Sequence, residues 1–221
     1  MEHVSSTLDP SSDWLSHQSI YIDVMGRASF LLRAAAADTE EAEAAARQIL
    51  AVIALRSAWN AIEQREIWPR LVMLSSSNYS IMQELRQLAD TSGLPQIKSA
   101  AERWMANRQD YQEMLNLCRN FEEQIHTTLS CFKKLGLPAI QHTFTDDLWN
   151  QMQADVCDRI DPELRMLVLG MVLATKTSQG RDKLVAALSA SLRAEWLNSG
   201  LVAFNRHQNL LSIITGEEGI D

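Results

Sequence analysis

Glycine and proline are scarce in this sequence, eight and five among 221 residues. A chain so poor in turn formers is not built from the many short hairpins of a sandwich or barrel. Runs alternating Val, Ile, Thr and aromatic residues are also missing, apart from short pieces such as 71–74, so little or no sheet is expected. Cysteine is nearly absent: Cys118, Cys131 and Cys157 form an odd set with no close pairing, which excludes a disulfide framework or a structural zinc site. Reduced thiols in the cytoplasm are the reading that follows. The longest apolar stretch, 166–174, is interrupted by Gly170 and covers about half the roughly 20 residues needed to cross a bilayer, so no membrane span is expected. The start Met1-Glu2-His3 leads into polar residues, not into the basic and then apolar pattern of a signal peptide. Positive charge is in deficit as well, 20 Lys and Arg against 28 Asp and Glu, a formal net charge of −8. That balance argues against a protein whose main task is to neutralise a nucleic-acid backbone.

What is abundant is Ala, Leu, Gln, Glu, Arg and Met, residues that lose little side-chain freedom in a helix. The expected fold is therefore all-α, an elongated bundle of about eight helices. A polar, Ser-rich arm, 1–12, is expected to be mobile, with structure beginning at Asp13. A helical domain fills 13–215, either as one unit or as two packed subdomains, 13–92 and 138–215, joined by one long helix, approximately 95–135. An acidic tail, 216–221, follows.

The first helix is expected to run through Trp14, Ile20, Val24, Phe30 and Leu31. Asp38 or Thr39 then caps a second, whose first turn carries Glu40, Glu41 and Glu43 against the helix dipole. Over 44–59 this helix is apolar around most of its circumference, which predicts a central position. Pro69 predicts a break near Trp68. A shorter helix is expected over 79–90, with Ile81, Met82, Leu85 and Leu88 on one face. Gly93-Leu94-Pro95 and Gly136-Leu137-Pro138 both read as helix terminators, glycine taking the left-handed stop and proline forbidding continuation.

Between them, positions seven apart read Ile97, Trp104, Tyr111, Cys118, Ile125 and Phe132, an apolar row that predicts the long helix. Arg108 and Glu122 interrupt that seam and mark a kink or a buried ion pair. Further on, Thr145 or Asp146 caps one helix, and Asp161 followed by Pro162 opens another, 164–174, that is apolar all round and must be buried. A helix through Leu184, Leu188, Leu192 and Trp196 is expected to end at Gly200, and a last one covers 202–214.

Few residues carry recognisable chemistry. Arg119-Asn120 followed by His126 places Arg and His on one face of the long helix. Their order and spacing resemble the ribonuclease motif of HEPN-domain proteins, helical bundles that are often dimeric. The resemblance covers Arg119, Asn120 and His126 alone. It implies that Arg119 and His126 assist attack of a ribose hydroxyl on the adjacent phosphate and stabilise the charge that develops. Glu123 and His126 form one Glu-x-x-His pair, but a di-iron bundle needs two, and no metal is expected. Asp146, Asp147 and Asn150 read as a cap and dipole partners in place of a magnesium cluster. The glycines form no phosphate loop, nucleophile elbow or dinucleotide fingerprint, and no cofactor is expected. Trp104, Trp149 and Trp196 fit apolar faces, whereas Trp14 and Trp68 lie near element ends, where an indole can serve a partner surface.

The function these patterns favour is a non-enzymatic α-helical interaction module, an adaptor, scaffold or inhibitor subunit. Its partner is another protein or a second copy. The alternative is a HEPN-like ribonuclease or RNA-binding protein using Arg119, Asn120 and His126, and nucleic acid is a partner only in that case.

Overall fold

A computed structural model describes residues 10–34, 40–74, 83, 86–87, 93–107 and 111–215, and among them every regular element is helical. The helices are α1 (Pro10–Gly26), α2 (Ala28–Ala34), α3 (Glu40–Ile62), α4 (Trp68–Leu74), α5 (Leu94–Asn107), α6 (Tyr111–Thr143), α7 (Asp146–Asp158), α8 (Pro162–Ala174), α9 (Ser178–Ala187), α10 (Ala190–Glu195) and α11 (Leu201–Thr215). The all-α multi-helix fold expected from composition is what forms.

Helix α1 starts three residues earlier than expected. Pro10 sits in its first turn, where a missing N–H costs nothing, and Ser11 and Asp13 are already buried. Residues 10–12 are therefore helix, while 1–9, the rest of the expected arm, and the tail 216–221 lie outside the described residues. The first helix is also not continuous. A turn at Arg27, whose guanidinium pairs with Asp23 at 2.6 Å, separates α1 from α2. The cap expected at Asp38 or Thr39, and most of the helix expected over 79–90, lie outside the described residues as well.

The apolar circumference of α3 does place it centrally, against α1, α2, α5, α7, α8 and α11. Its end departs from expectation. The chain does not break at Pro69 but passes through a π-helical turn, Glu63–Ile67, in which the Trp68 N–H bonds the Glu63 carbonyl five residues back. The wider turn admits Pro69, which has no donor and needs room for its ring, and α4 follows without a loop.

The single long helix is corrected at both ends of its seam. Helices α5 and α6 are separate and pack on each other. Arg103 Nη2 lies 3.2 Å from Glu113 Oε1. Ten residues along one straight helix span about 15 Å, beyond the reach of that pair, so α5 and α6 do not form one straight helix. At the other end α6 runs through Gly136 and Pro138 to Thr143. Gly136 is no left-handed stop: a Cβ there would meet the Phe132 ring at 2.6 Å, so the glycine makes room for that ring. Burial of Ile140 and Phe144 offsets the hydrogen bond that Pro138 cannot donate.

Phe132 is one hub of an aromatic chain. Trp14 stacks on it with centroids 4.1 Å apart, and Trp68 meets it edge-on at 5.7 Å. Trp149 is a second hub, 5.5 Å from Trp59 and 5.8 Å from Phe144. Such contacts contribute about 0.5–1.5 kcal/mol each beyond their area. The first group joins α1, α4 and α6 and the second joins α3 and α7, both within one contiguous core.

In the C-terminal third, Thr145 caps α7 and Asp161 caps α8, with Pro162 at its first position. The expected helix through Leu184 to Trp196 is two, since Ser189 accepts from the Leu192 N–H and starts α10. Gly200 does not end it. The chain runs through a second π-helical turn, Trp196–Gly200, closed by the Leu201 N–H on the Trp196 carbonyl, directly into α11.

Candidate interaction surface

The residues singled out in the sequence do not converge on a reaction centre. Arg119, Asn120 and His126 all lie exposed on α6, and His126 Nε2 stands 3.9 Å from Glu122 Oε1. Asp146 pairs with Lys183 at 3.3 Å, and Asn150 donates to the Asp146 carbonyl. Among the described residues no three His, Cys, Asp or Glu side chains are grouped to hold a metal ion. Trp14 and Trp68 are a correction: expected at a partner surface, they are 4 % and 2 % exposed and pack on Phe132. An indole has so much apolar area that a position near an element end does not keep it at the surface when a neighbouring ring can cover it.

Polar groups that sequence reasoning missed lie inside. Asp13 Oδ2 accepts from Gln153 Nε2 at 2.9 Å and pairs with Lys176 Nζ at 2.9 Å, joining α1, α7 and the end of α8. Burial lowers the Lys176 pKa, against the opposing pull of Asp13. His17 Nδ1 accepts from Trp59 Nε1–H at 2.7 Å, and burial, then the Lys176 charge, holds its pKa well below the usual value. Arg56 and Glu63 form a two-pronged pair, 2.8 and 2.9 Å, under cover of the core. His207 Nε2 meets Gln48 Oε1 at 2.9 Å, and burial, then Arg47, brings its pKa down to about 4. These groups are buried and connect helices; His207 and Gln48 also line surface clefts. The three thiols are free, Cys118 and Cys157 buried with their pKa pushed up to about 12 by burial, Cys131 half-buried.

The surface feature that lacks a structural purpose lies at the second π-helical turn. Leu197, Leu201 and Val202 are 68 %, 51 % and 71 % exposed, large aliphatic groups close in sequence and open to water. The extra residue in the wide turn shifts the helix face, so that Trp196 and Gly200 stay inside while their neighbours turn outward. Gly200 holds this arrangement, since a Cβ there would meet both Met166 Sδ and the Trp196 ring at 2.6 Å. Beside the patch runs a groove of about 630 Å³ between α8, α9 and α11, floored by Leu173, Val185, Trp196 and Phe204. Gly170 sets its depth: a Cβ there would run into the Phe204 ring, so the glycine lets α8 and α11 approach closely. One sequence signal was available, because Leu197, Leu201 and Val202 fall off the face through Leu188, Leu192 and Trp196. Reading Gly200 as a stop concealed it.

Other hollows are present. A groove of about 610 Å³ runs along α3 between α5 and the α7–α8 link, and a cleft of about 450 Å³ adjoins His207. Both have acids and bases mixed along their edges, and neither adjoins a cluster of large exposed aliphatic groups. No described helix is long and apolar enough to cross a membrane. The chain matches no protein-family model, no curated protein and no solved structure.

Proposed function

We propose that this chain is a helical protein–protein interaction module, an adaptor, scaffold or inhibitor subunit, which engages another protein through the face formed by α9, the second π-helical turn and α11. One observation carries the reading: Leu197, Leu201 and Val202 stand exposed together beside an apolar groove. Grouped aliphatic side chains in water cost about 25 cal/mol for each Å² left uncovered, a cost that a partner removes. The three unpaired thiols support a reducing compartment, the cytoplasm, as the place of action.

Site-specific photo-crosslinking tests this. A crosslinker at position 197 is expected to join one protein of the native source that a crosslinker at the equally exposed Met73 does not join. That partner, purified, is expected to bind the purified chain with fixed stoichiometry, and Leu201→Asp/Val202→Asp is expected to abolish binding. A partner bound equally well by the double variant would refute the assignment of this face.

A further inference from the structure

Resting on that reading, we infer that the occupant of the α8–α9–α11 groove is an amphipathic helix of a partner protein, with acidic residues flanking its apolar face. The charge of the surrounding segment points to this. Residues 176–215 carry five cations, Lys176, Lys183, Arg181, Arg193 and Arg206, against two carboxylates, Asp182 and Glu195, in a chain whose net charge is −8. Three of the five cations are already paired: Lys176 with Asp13, Lys183 with Asp146 and Arg206 with Glu40. The two that make no ion pair among the described residues, Arg181 and Arg193, are the two that line the groove. Arg193 donates to the Ala186 carbonyl at 3.4 Å, a long contact that leaves its charge available. Asp182 is the one carboxylate among the lining residues.

The walls decide the backbone of the occupant. They are helices, whose main-chain groups are satisfied within themselves. An extended peptide laid against them would leave its own N–H and C=O groups unpaired over apolar side chains. A helix brings its backbone already satisfied and offers aliphatic side chains at i, i+3, i+4 and i+7 to the floor of Leu173, Val185 and Trp196. Acids beside that row then reach the two guanidinium groups, which suit two-pronged contacts with carboxylates. Leu197 and Leu201 line the same groove, and Val202 adds exposed apolar surface next to Leu201.

A display library of helices of about 20 residues, long enough to hold their fold in water, tests the inference. Each member keeps a fixed leucine row and varies Glu, Lys and Ser in the two flanking rows, and selection is made on the full chain. Enrichment of Glu flanks is expected. The affinity of enriched peptides is expected to fall about tenfold or more with Arg181→Glu/Arg193→Glu and to weaken with salt, as rim charge pairs do. Enrichment of Lys flanks, no preference, or a preference unchanged by the arginine variant overturns the proposal. So does a homodimer in sedimentation equilibrium that Leu201→Asp dissociates, since a second copy then occupies the face. Failure here with the crosslinked partner still lost on Leu201→Asp/Val202→Asp leaves the interaction module standing and only its partner class wrong. A partner indifferent to that variant removes the module reading itself.

Discussion

Arg56 and Glu63 are charges placed where the core excludes water, and each is tolerable only because the other is there. Breaking such a pair from one side leaves an uncompensated buried charge, at a cost of about 3–5 kcal/mol, whereas replacing both by apolar groups is close to neutral. Glu63→Gln alone and Arg56→Met alone are therefore expected to lower the unfolding free energy in urea by that amount. The double variant Arg56→Met/Glu63→Leu is expected to lose less than either single one. Additive losses would mean that the two side chains act independently. Tyr21 shares the site: burial raises its phenol pKa well above the usual value, and the neighbouring Arg56 pulls against that rise. In the sequence Arg56 reads only as a polar interruption of an apolar helix. Seven residues on, Glu63 falls on the same helical face, but that the two side chains are enclosed and meet as a pair is set by packing that the sequence does not show. The same holds for Asp13 and Lys176, which meet across 163 residues by packing alone. Local spacing did place Arg119 and His126 correctly on a polar face of α6, and that exposure is all it could supply.

At the level of elements, close approach decides more than propensity. Gly170 lies under the Phe204 ring, so Gly170→Ala must push α8 and α11 apart even though alanine is the better helix former. The expected loss is about 1–3 kcal/mol, the scale of an overpacked core. Gly170→Ala/Phe204→Val is expected to cost less than the sum of its single changes, because the smaller side chain gives up the space that the methyl needs. Thermal unfolding of the four proteins measures both, and strict additivity would place the Phe204 ring elsewhere. Helix starts were legible at Thr145 and at Asp161 with Pro162, because capping is a local bond, whereas the cap at Ser189 was hidden by the apolar row that runs through it. Ends were not. Gly136 and Gly200 read as stops, yet each serves a side chain four residues earlier, Phe132 and Trp196, and only the packed structure tells a glycine that frees the backbone from one that clears space. The separation of α5 from α6 was concealed for a related reason: both helices keep the apolar row in phase, so a heptad reading runs straight from one into the other.

For the whole molecule, stability is tied to pH through two enclosed histidines. His17 and His207 both have folded-state pKa values below the unfolded value near 6.5, the second at about 4. Neutral rings suit the folded state, so their contribution is fully present above pH 6.5 and is lost as pH falls from there toward the folded pKa, while the unfolded chain takes up protons. Between pH 7 and pH 5 the native chain is expected to lose about 2 kcal/mol more unfolding free energy than His207→Gln, and chemical denaturation at the two pH values measures the difference. Equal losses would show that His207 titrates alike in both states. Composition had given the all-α class and the acid-rich balance, but the uneven distribution of charge along the fold takes on meaning only when pairing is known. The state of the three thiols has a practical consequence. With Cys118 and Cys157 enclosed and protonated at neutral pH, an alkylating reagent has only Cys131 to attack. In a Cys131→Ser background, a cysteine introduced at position 197 would be the single labelling point for a dye or spin probe, set at the mouth of the groove where occupation changes its signal.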